Sequence, residues 1–128
     1  MSLACRGSSK MLLCVDNSHG VLEYERALFE RSGFTVVTAA SARDGLRLAA
    51  RRNFDVVLLD YHLPDMNGRQ LASELRRIRP ETPVVMFSGD DMIAEETRHL
   101  VDAVISKNKA LEELLPTVTR LCSRISEA

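Results

Sequence analysis

The sequence predicts an α/β domain in which a parallel five-stranded sheet is covered by helices on both faces. Three observations predict it. Five short apolar runs punctuate the chain, a longer amphipathic stretch follows each, and the runs are apolar at successive positions rather than at alternate ones. A strand with one solvated face alternates with period two, whereas one apolar throughout is buried on both faces, as helical crossovers in a parallel sheet require. The 128 residues are one domain's worth and accommodate five such pairs.

Residues 11–15 (MLLCV) form the first run, which stops at Asp16 and Asn17. Over 21–31, Val21, Tyr24 and Leu28 recur at helical spacing, with Leu22 and Phe29 one step round and Gly33 as the stop. Residues 34–38 (FTVVT) are β-branched and predict the second strand. Ser41, Ala42, Arg43 and Asp44 read as a capping box opening a helix that continues through Leu46, Leu48 and Ala49. Residues 55–59 (DVVLL) run straight into Asp60. After a loop holding Pro64 and Gly68, a third helix uses Leu71, Leu75 and Ile78 and is closed by Pro80. Residues 83–87 (PVVMF) meet Ser88 and Gly89, and a short acidic helix is predicted over 91–100. The last strand, 103–105, precedes Ser106 and Lys107, and 111–125 supply the fifth helix. Pro116 falls inside that pattern, predicting a kink or a late start. Residues 1–9 read as a loose, flexible leader, leaving the domain to 10–126. Right-handed crossovers leave few strand orders, among them the flavodoxin-like 2-1-3-4-5, whose crevice lies at the carboxyl ends of strands 1 and 3; periodicity does not choose among them.

Composition narrows the function. Apolar residues at 45% and charged residues at 27% describe a folded chain rather than a disordered one. The 17 basic and 18 acidic residues nearly cancel, which argues against direct nucleic-acid binding. No apolar run reaches the roughly 20 residues that span a bilayer, and no secretory leader opens the chain, so no membrane association is expected. Three cysteines, Cys5, Cys14 and Cys122, without a CxxC spacing suggest neither a zinc cage nor a disulfide framework, and point to a reducing cytoplasm. Cys14, inside the first strand, reads as an inert core residue. Nucleotide loops and HExxH helices are absent from the sequence.

The chemistry lies with the polar residues that terminate apolar runs: Asp16 and Asn17, Asp60, Ser88 and Lys107. In a parallel sheet these ends share one edge, beside loops that admit a ligand. Two carboxylates about 4 Å apart repel by about 4 kcal/mol at an effective dielectric near 20, so Asp16 and Asp60 together call for a cation or a proton. Mg²⁺ meets that need, because it takes six oxygens and keeps several as water. Lys107 is one of three lysines among the 17 basic residues and directly follows the last strand, where a compact ammonium pairs with an anion. Ser88 adds a hydroxyl able to donate to a phosphoryl oxygen. Each signal alone has a plainer explanation in turns, caps and solvated side chains; their joint placement carries the argument.

From about Lys10 onward the chain resembles the receiver domain of two-component response regulators. The resemblance rests on VVLLDYHLPDMNG at 56–68, with LLCVDN at 12–17, VVMFSG at 84–89 and AVISK at 103–107. It implies a flavodoxin-like (βα)5 three-layer sandwich with strand order 2-1-3-4-5. It also implies that Asp60 accepts a phosphoryl group from a sensor histidine kinase or a His-containing phosphotransfer protein. Mg²⁺, or Mn²⁺ in its place, would be held by Asp16 through water, by Asp60, and by the backbone carbonyl of His62, with Asn17 a weak or water-mediated ligand. Lys107 would pair with the phosphoryl oxygens, and Ser88 would hydrogen-bond one of them. Such a domain is a cytoplasmic, bacterial signalling module rather than an enzyme, its own chemistry being phosphoryl transfer to itself and autodephosphorylation. Its switching surface, on the side of the fourth helix, fifth strand and fifth helix, would serve an output domain or dimer partner.

Some positions depart from the family's pattern. Asn17 stands where a second acid is usual, Asn108 where proline usually follows the lysine, and Val104 where an aromatic switch residue is usual; no aromatic residue follows Phe87. These departures keep open a pseudo-receiver, an interaction module that works without phosphorylation. A small phosphohydrolase would want a second acid near its nucleophile, which Asp60-Tyr61-His62 lacks. His62 sits where side chains in this family influence access of water to the acyl phosphate. Arg43, Arg47, Arg51 and Arg52 read as a solvated face.

Overall fold

The structure, a computed structural model, describes residues 10–89, 93–107 and 111–127. Strands and helices alternate: β1 (Met11–Val15), α1 (His19–Arg31), β2 (Thr35–Ala39), α2 (Ala42–Arg51), β3 (Val56–Leu59), α3 (Gly68–Ile78), β4 (Val84–Ser88), α4 (Glu95–Arg98), β5 (Ala103–Ser106) and α5 (Leu111–Glu127). All neighbouring strands are parallel, in the order β2-β1-β3-β4-β5. The expected flavodoxin-like order is therefore the one adopted.

Successive side chains on each strand face opposite sides, and the core divides accordingly. Leu12, Cys14, Val56, Leu58, Val85 and Phe87 pack with Leu22 and Phe29 of α1 and with Leu114, Val118 and Leu121 of α5. Leu13, Val15, Val57, Leu59, Val84 and Met86 pack instead with Ala42 and Ala49 of α2 and with Leu71, Ala72 and Leu75 of α3. Each interior strand thus feeds two apolar layers, the physical reason its sequence shows no polar alternation.

Most predicted boundaries move by one or two residues. Helix α1 begins earlier than its apolar spacing suggested, because Ser18 caps it by accepting from the Val21 N–H. Gly33 ends that segment at φ 97°, a left-handed backbone that favours glycine. Gly68 is the first residue of α3 rather than a loop residue, behind an Asn67/Gln70 capping box. Helix α4 is a single turn over Glu95–Arg98, shorter than the 91–100 expected; the start of that prediction lies outside the described residues, as do the leader and Asn108. Pro116 does not delay α5, which starts at Leu111 and carries the proline internally.

Candidate functional site

Strand register brings the acids together. Leu12 to Val15 lie opposite Val56 to Leu59, so Asp16 and Asp60 are the next residues on two adjacent strands, tied by a 2.9 Å bond from the Asp60 N–H to the Val15 carbonyl. On the far side of β3, Phe87 and Ser88 lie opposite Ile105 and Ser106, and the Lys107 N–H donates to the Ser88 carbonyl at 2.8 Å. Four strand ends therefore deliver Asp16, Asp60, Ser88 and Lys107 to one edge of the sheet.

The Lys107 ammonium joins the two acids, donating to Asp16 Oδ2 at 2.9 Å and to Asp60 Oδ1 at 3.3 Å. It also lies 5.5 Å from the centroid of the Phe87 ring, whose face attracts a cation. Asp16 is 2% exposed and Asp60 6%. The other oxygen of Asp16 accepts from the Ser18 N–H at 2.9 Å, which aims the carboxylate while opening α1. Burial raises the Asp60 pKa above the usual carboxylate value, the Asp16 charge raises it further, and Lys107 with the His62 N–H act against both. Burial alone would lower Lys107, but Asp16 and Asp60 outweigh it and leave its pKa raised. The site thus holds two anions and one fixed cation, a balance that retains appetite for positive charge.

Every residue predicted for the site lies at this edge. Ser88 is fully buried as the last residue of β4. Asn17 is exposed next to Asp16. His62 is exposed, its backbone N–H directed at Asp60 and its ring stacked edge-on with Tyr61 at 5.0 Å. Val104 is half-buried opposite Met86, on the layer shared with α2 and α3. The donor set suits a hard divalent cation: carboxylate oxygens, an amide oxygen at Asn17 and the backbone of the loop after Asp60. Among the described residues no three His, Cys, Asp or Glu side chains form a metal cage, and a Mg²⁺ site of one or two carboxylates with waters needs none.

The loop that leaves Asp60 is folded back tightly. The Gly68 N–H donates to the Tyr61 carbonyl, His62 bridges Asn67, and a Cβ at Gly68 would stand 2.7 Å from Tyr61 Cα and 3.0 Å from the Asp60 carbonyl oxygen. Two contributors were not singled out from sequence. Asp65, in this loop, accepts from the Ala42 and Arg43 N–H groups at 2.9 and 2.8 Å and so caps α2 from another element. No local pattern signals that bond, which spans more than 20 residues. Glu25 is buried on α1; its signal was its place on the apolar stripe between Leu22 and Phe29.

Comparison with known proteins accords with this geometry. The family described as "Response regulator receiver domain" matches residues 12–119. The transcriptional regulatory protein GlrR of Escherichia coli is 32% identical over 95 residues, 74% of this chain and 21% of that protein. The chain therefore spans about a fifth of that relative's length. A CheY-like receiver domain protein from Methanospirillum hungatei superposes with a TM-score of 0.86 at 27% identity, covering 94% of this chain and 98% of that one. The response regulator TrrA of Thermotoga maritima, solved in complex with Mg²⁺-BeF, shares the fold with a TM-score of 0.83 at 22% identity, covering 88% and 98% of the two chains. With the strand order, the edge of acids and lysine, and the match over nearly the whole chain in agreement, the protein belongs to the family of response regulator receiver domains.

Proposed function

We propose that this receiver domain accepts a phosphoryl group on Asp60 from a phosphohistidine of a sensor histidine kinase or phosphotransfer protein. The observation that carries the reading is the convergence of Asp16, Asp60 and Lys107 at one edge, with both acids in hydrogen-bond contact with the same ammonium. An Asp60 carboxylate oxygen attacks phosphorus, the phosphorus–nitrogen bond breaks, and the departing imidazole keeps the electron pair and takes up a proton. No protein base is needed, because the nucleophile is the ionised carboxylate. Lys107 neutralises the oxygens gathering charge, and the Ser88 hydroxyl is at the right edge to donate to one of them. Asp16 and Asp60 would hold Mg²⁺ or Mn²⁺, with the His62 carbonyl and, weakly or through water, Asn17 completing the protein's share; that cation supplies charge neutralisation and alignment of the phosphoryl oxygens. The complex of TrrA with Mg²⁺-BeF, described for that relative, supports this assignment.

The domain works as a switch rather than as an enzyme on an external substrate. A phosphoryl group at Asp60 draws Ser88 and Lys107 inward, and the segments that follow them, α4, β5 and α5, form the surface read by an output domain or a second copy. Because Lys107 bonds the end of β4 through its N–H, a shift at one strand end is felt at the other. Among the described residues no helix is long and apolar enough to cross a membrane; the cytoplasmic location belongs to the same proposal and follows from the kinase partner.

Incubation with acetyl phosphate and Mg²⁺, followed by intact-mass measurement, tests the reading. One phosphoryl mass should be gained by the wild type and none by Asp60→Asn. Asn17 and Val104 favour a second reading, the pseudo-receiver, and an unchanged mass in the wild type would select it.

A further inference from the structure

One buried acid has no part in the chemistry above. Glu25 lies on the face of α1 turned to the sheet, between Leu22 and Phe29, and is 2% exposed. Its carboxyl shares a hydrogen bond with the Cys14 thiol of β1, and its Oε1 is the one buried side-chain oxygen or nitrogen among the described residues with no partner. An ionised carboxylate with an orphaned oxygen in an apolar layer is costly, so the group is protonated there unless positive charge compensates it.

The charged and titratable groups that act on it belong to β1 and to the ends of β1, β3 and β5. Burial pushes its pKa up to about 8, the Asp16 charge adds to this and Asp60 does so more weakly, while the Cys14 bond and Lys107 pull it down. Burial also holds the Cys14 thiol well above its ordinary pKa, Glu25 adding to this and Arg26, next on α1, opposing it. Glu25 therefore feels the charges of the phosphoacceptor edge. That edge carries two acids and a lysine, and Asn17 contributes no charge.

Building on the phosphoacceptor reading, we infer that Glu25 is a proton-exchangeable anion beneath the cation site: when a divalent cation occupies the Asp16–Asp60 edge, Glu25 releases its proton to solvent and supplies the negative charge that Asn17 withholds. The balance is one cation bound, one carboxylic acid ionised and one proton released. The step follows from the same field that now opposes ionisation, because a dication between Asp16 and Asp60 reverses its sign. The coupling is reciprocal, so alkaline pH tightens cation binding as much as the cation acidifies Glu25. Loading of the receiver is thereby tuned to pH just above neutrality.

Calorimetric titration with Mn²⁺ at pH 7.5, in two buffers of different ionisation enthalpy, measures the protons released. The wild type should release a fraction approaching one proton per cation, and its association constant should climb by up to about tenfold per pH unit below the apo pKa. Glu25→Gln, which keeps shape but not charge, should release none and show a flat profile; Glu25→Leu serves in its place if the glutamine variant does not fold. Equal proton release by wild type and variant overturns the inference while leaving the cation site standing. Absence of cation binding in both overturns the phosphoacceptor reading and this inference with it. In the wild type, the ¹³C titration of the Glu25 carboxyl should move to lower pH on loading, and an unmoved curve likewise overturns the inference.

Discussion

The Lys107 ammonium donates to Asp16 at 2.9 Å across 91 positions of sequence, joining the end of the first strand to the end of the fifth. This bond closes the site, because the same nitrogen also reaches Asp60, and it leaves Asp60 less perturbed than burial and Asp16 would make it. Lys107→Met should therefore raise the Asp60 pKa. Phosphorylation by a small phosphodonor requires ionised Asp60, so its rate falls as pH drops through that pKa; in the variant the fall begins at higher pH. Rates followed from pH 5 to 9 check this, and superimposable profiles would count against it.

Gly68 has no room for a side chain. Its Cβ would meet backbone on both the Tyr61 and Asp60 sides, neither of which is a flexible side-chain end. Gly68→Ala should cost about 1–3 kcal/mol, as overpacking does. Urea unfolding measures the loss, and an unchanged midpoint would be inconsistent with the close approach.

Asp65 fastens the phosphoacceptor loop to the start of α2, and the two N–H bonds it accepts hold its pKa below the usual carboxylate value. A depressed folded-state pKa contributes stability that is present above the unfolded value and is lost as pH falls through the folded one. Asp65→Ala should lower the thermal midpoint at pH 7, and the gap from wild type should shrink as the pH is taken below the usual carboxylate range. A gap independent of pH would exclude the cap as its cause.

Glu25 has the opposite sign. Its folded pKa, about 8, is above the ordinary 4.5, so folding binds a proton between those values and stability declines as pH rises through that window, levelling off above it. Glu25→Gln should remove the decline and stabilise the protein near pH 8 by on the order of a few kcal/mol. Denaturant midpoints at pH 5 and pH 8 provide the comparison.

Asn17→Asp adds a formal charge next to Asp16. One unit charge near 4 Å is worth several kcal/mol at a dielectric near 20, so divalent-cation affinity should tighten by about tenfold or more. A titration of phosphorylation against Mg²⁺ concentration would shift to lower concentration, and an unmoved titration would show that Asn17 does not limit the site.

Much of this was legible from residue order. The strand ends at Asp16, Asp60, Ser88 and Lys107 could be read because an apolar run stops where the sheet stops, a local event. The cap that Asp65 provides could not be read, because its partners are 22 and 23 positions away and nothing near either end marks the contact. The Asn67/Gln70 box was present as a pattern but was masked by Gly68, which in most contexts breaks a helix rather than opening one. The acidic run over 91–100 predicts a longer helix than the single turn of α4, because acidic residues look helical in sequence while one turn suffices between β4 and β5.

By itself the sequence determined the number of strands and helices, their alternation, and which polar side chains close each apolar run, since periodicity and breaks in it are properties of neighbouring residues. Tertiary structure decided what those side chains become to one another. The pairing of Leu12–Val15 with Val56–Leu59 sets two acids side by side, the return of β5 beside β4 sets an ammonium between them, and the packing of α1 on β1 shuts Glu25 away from water. The reason is physical: charge interactions depend on separation and on exclusion of solvent, and neither exists until distant segments are packed against each other.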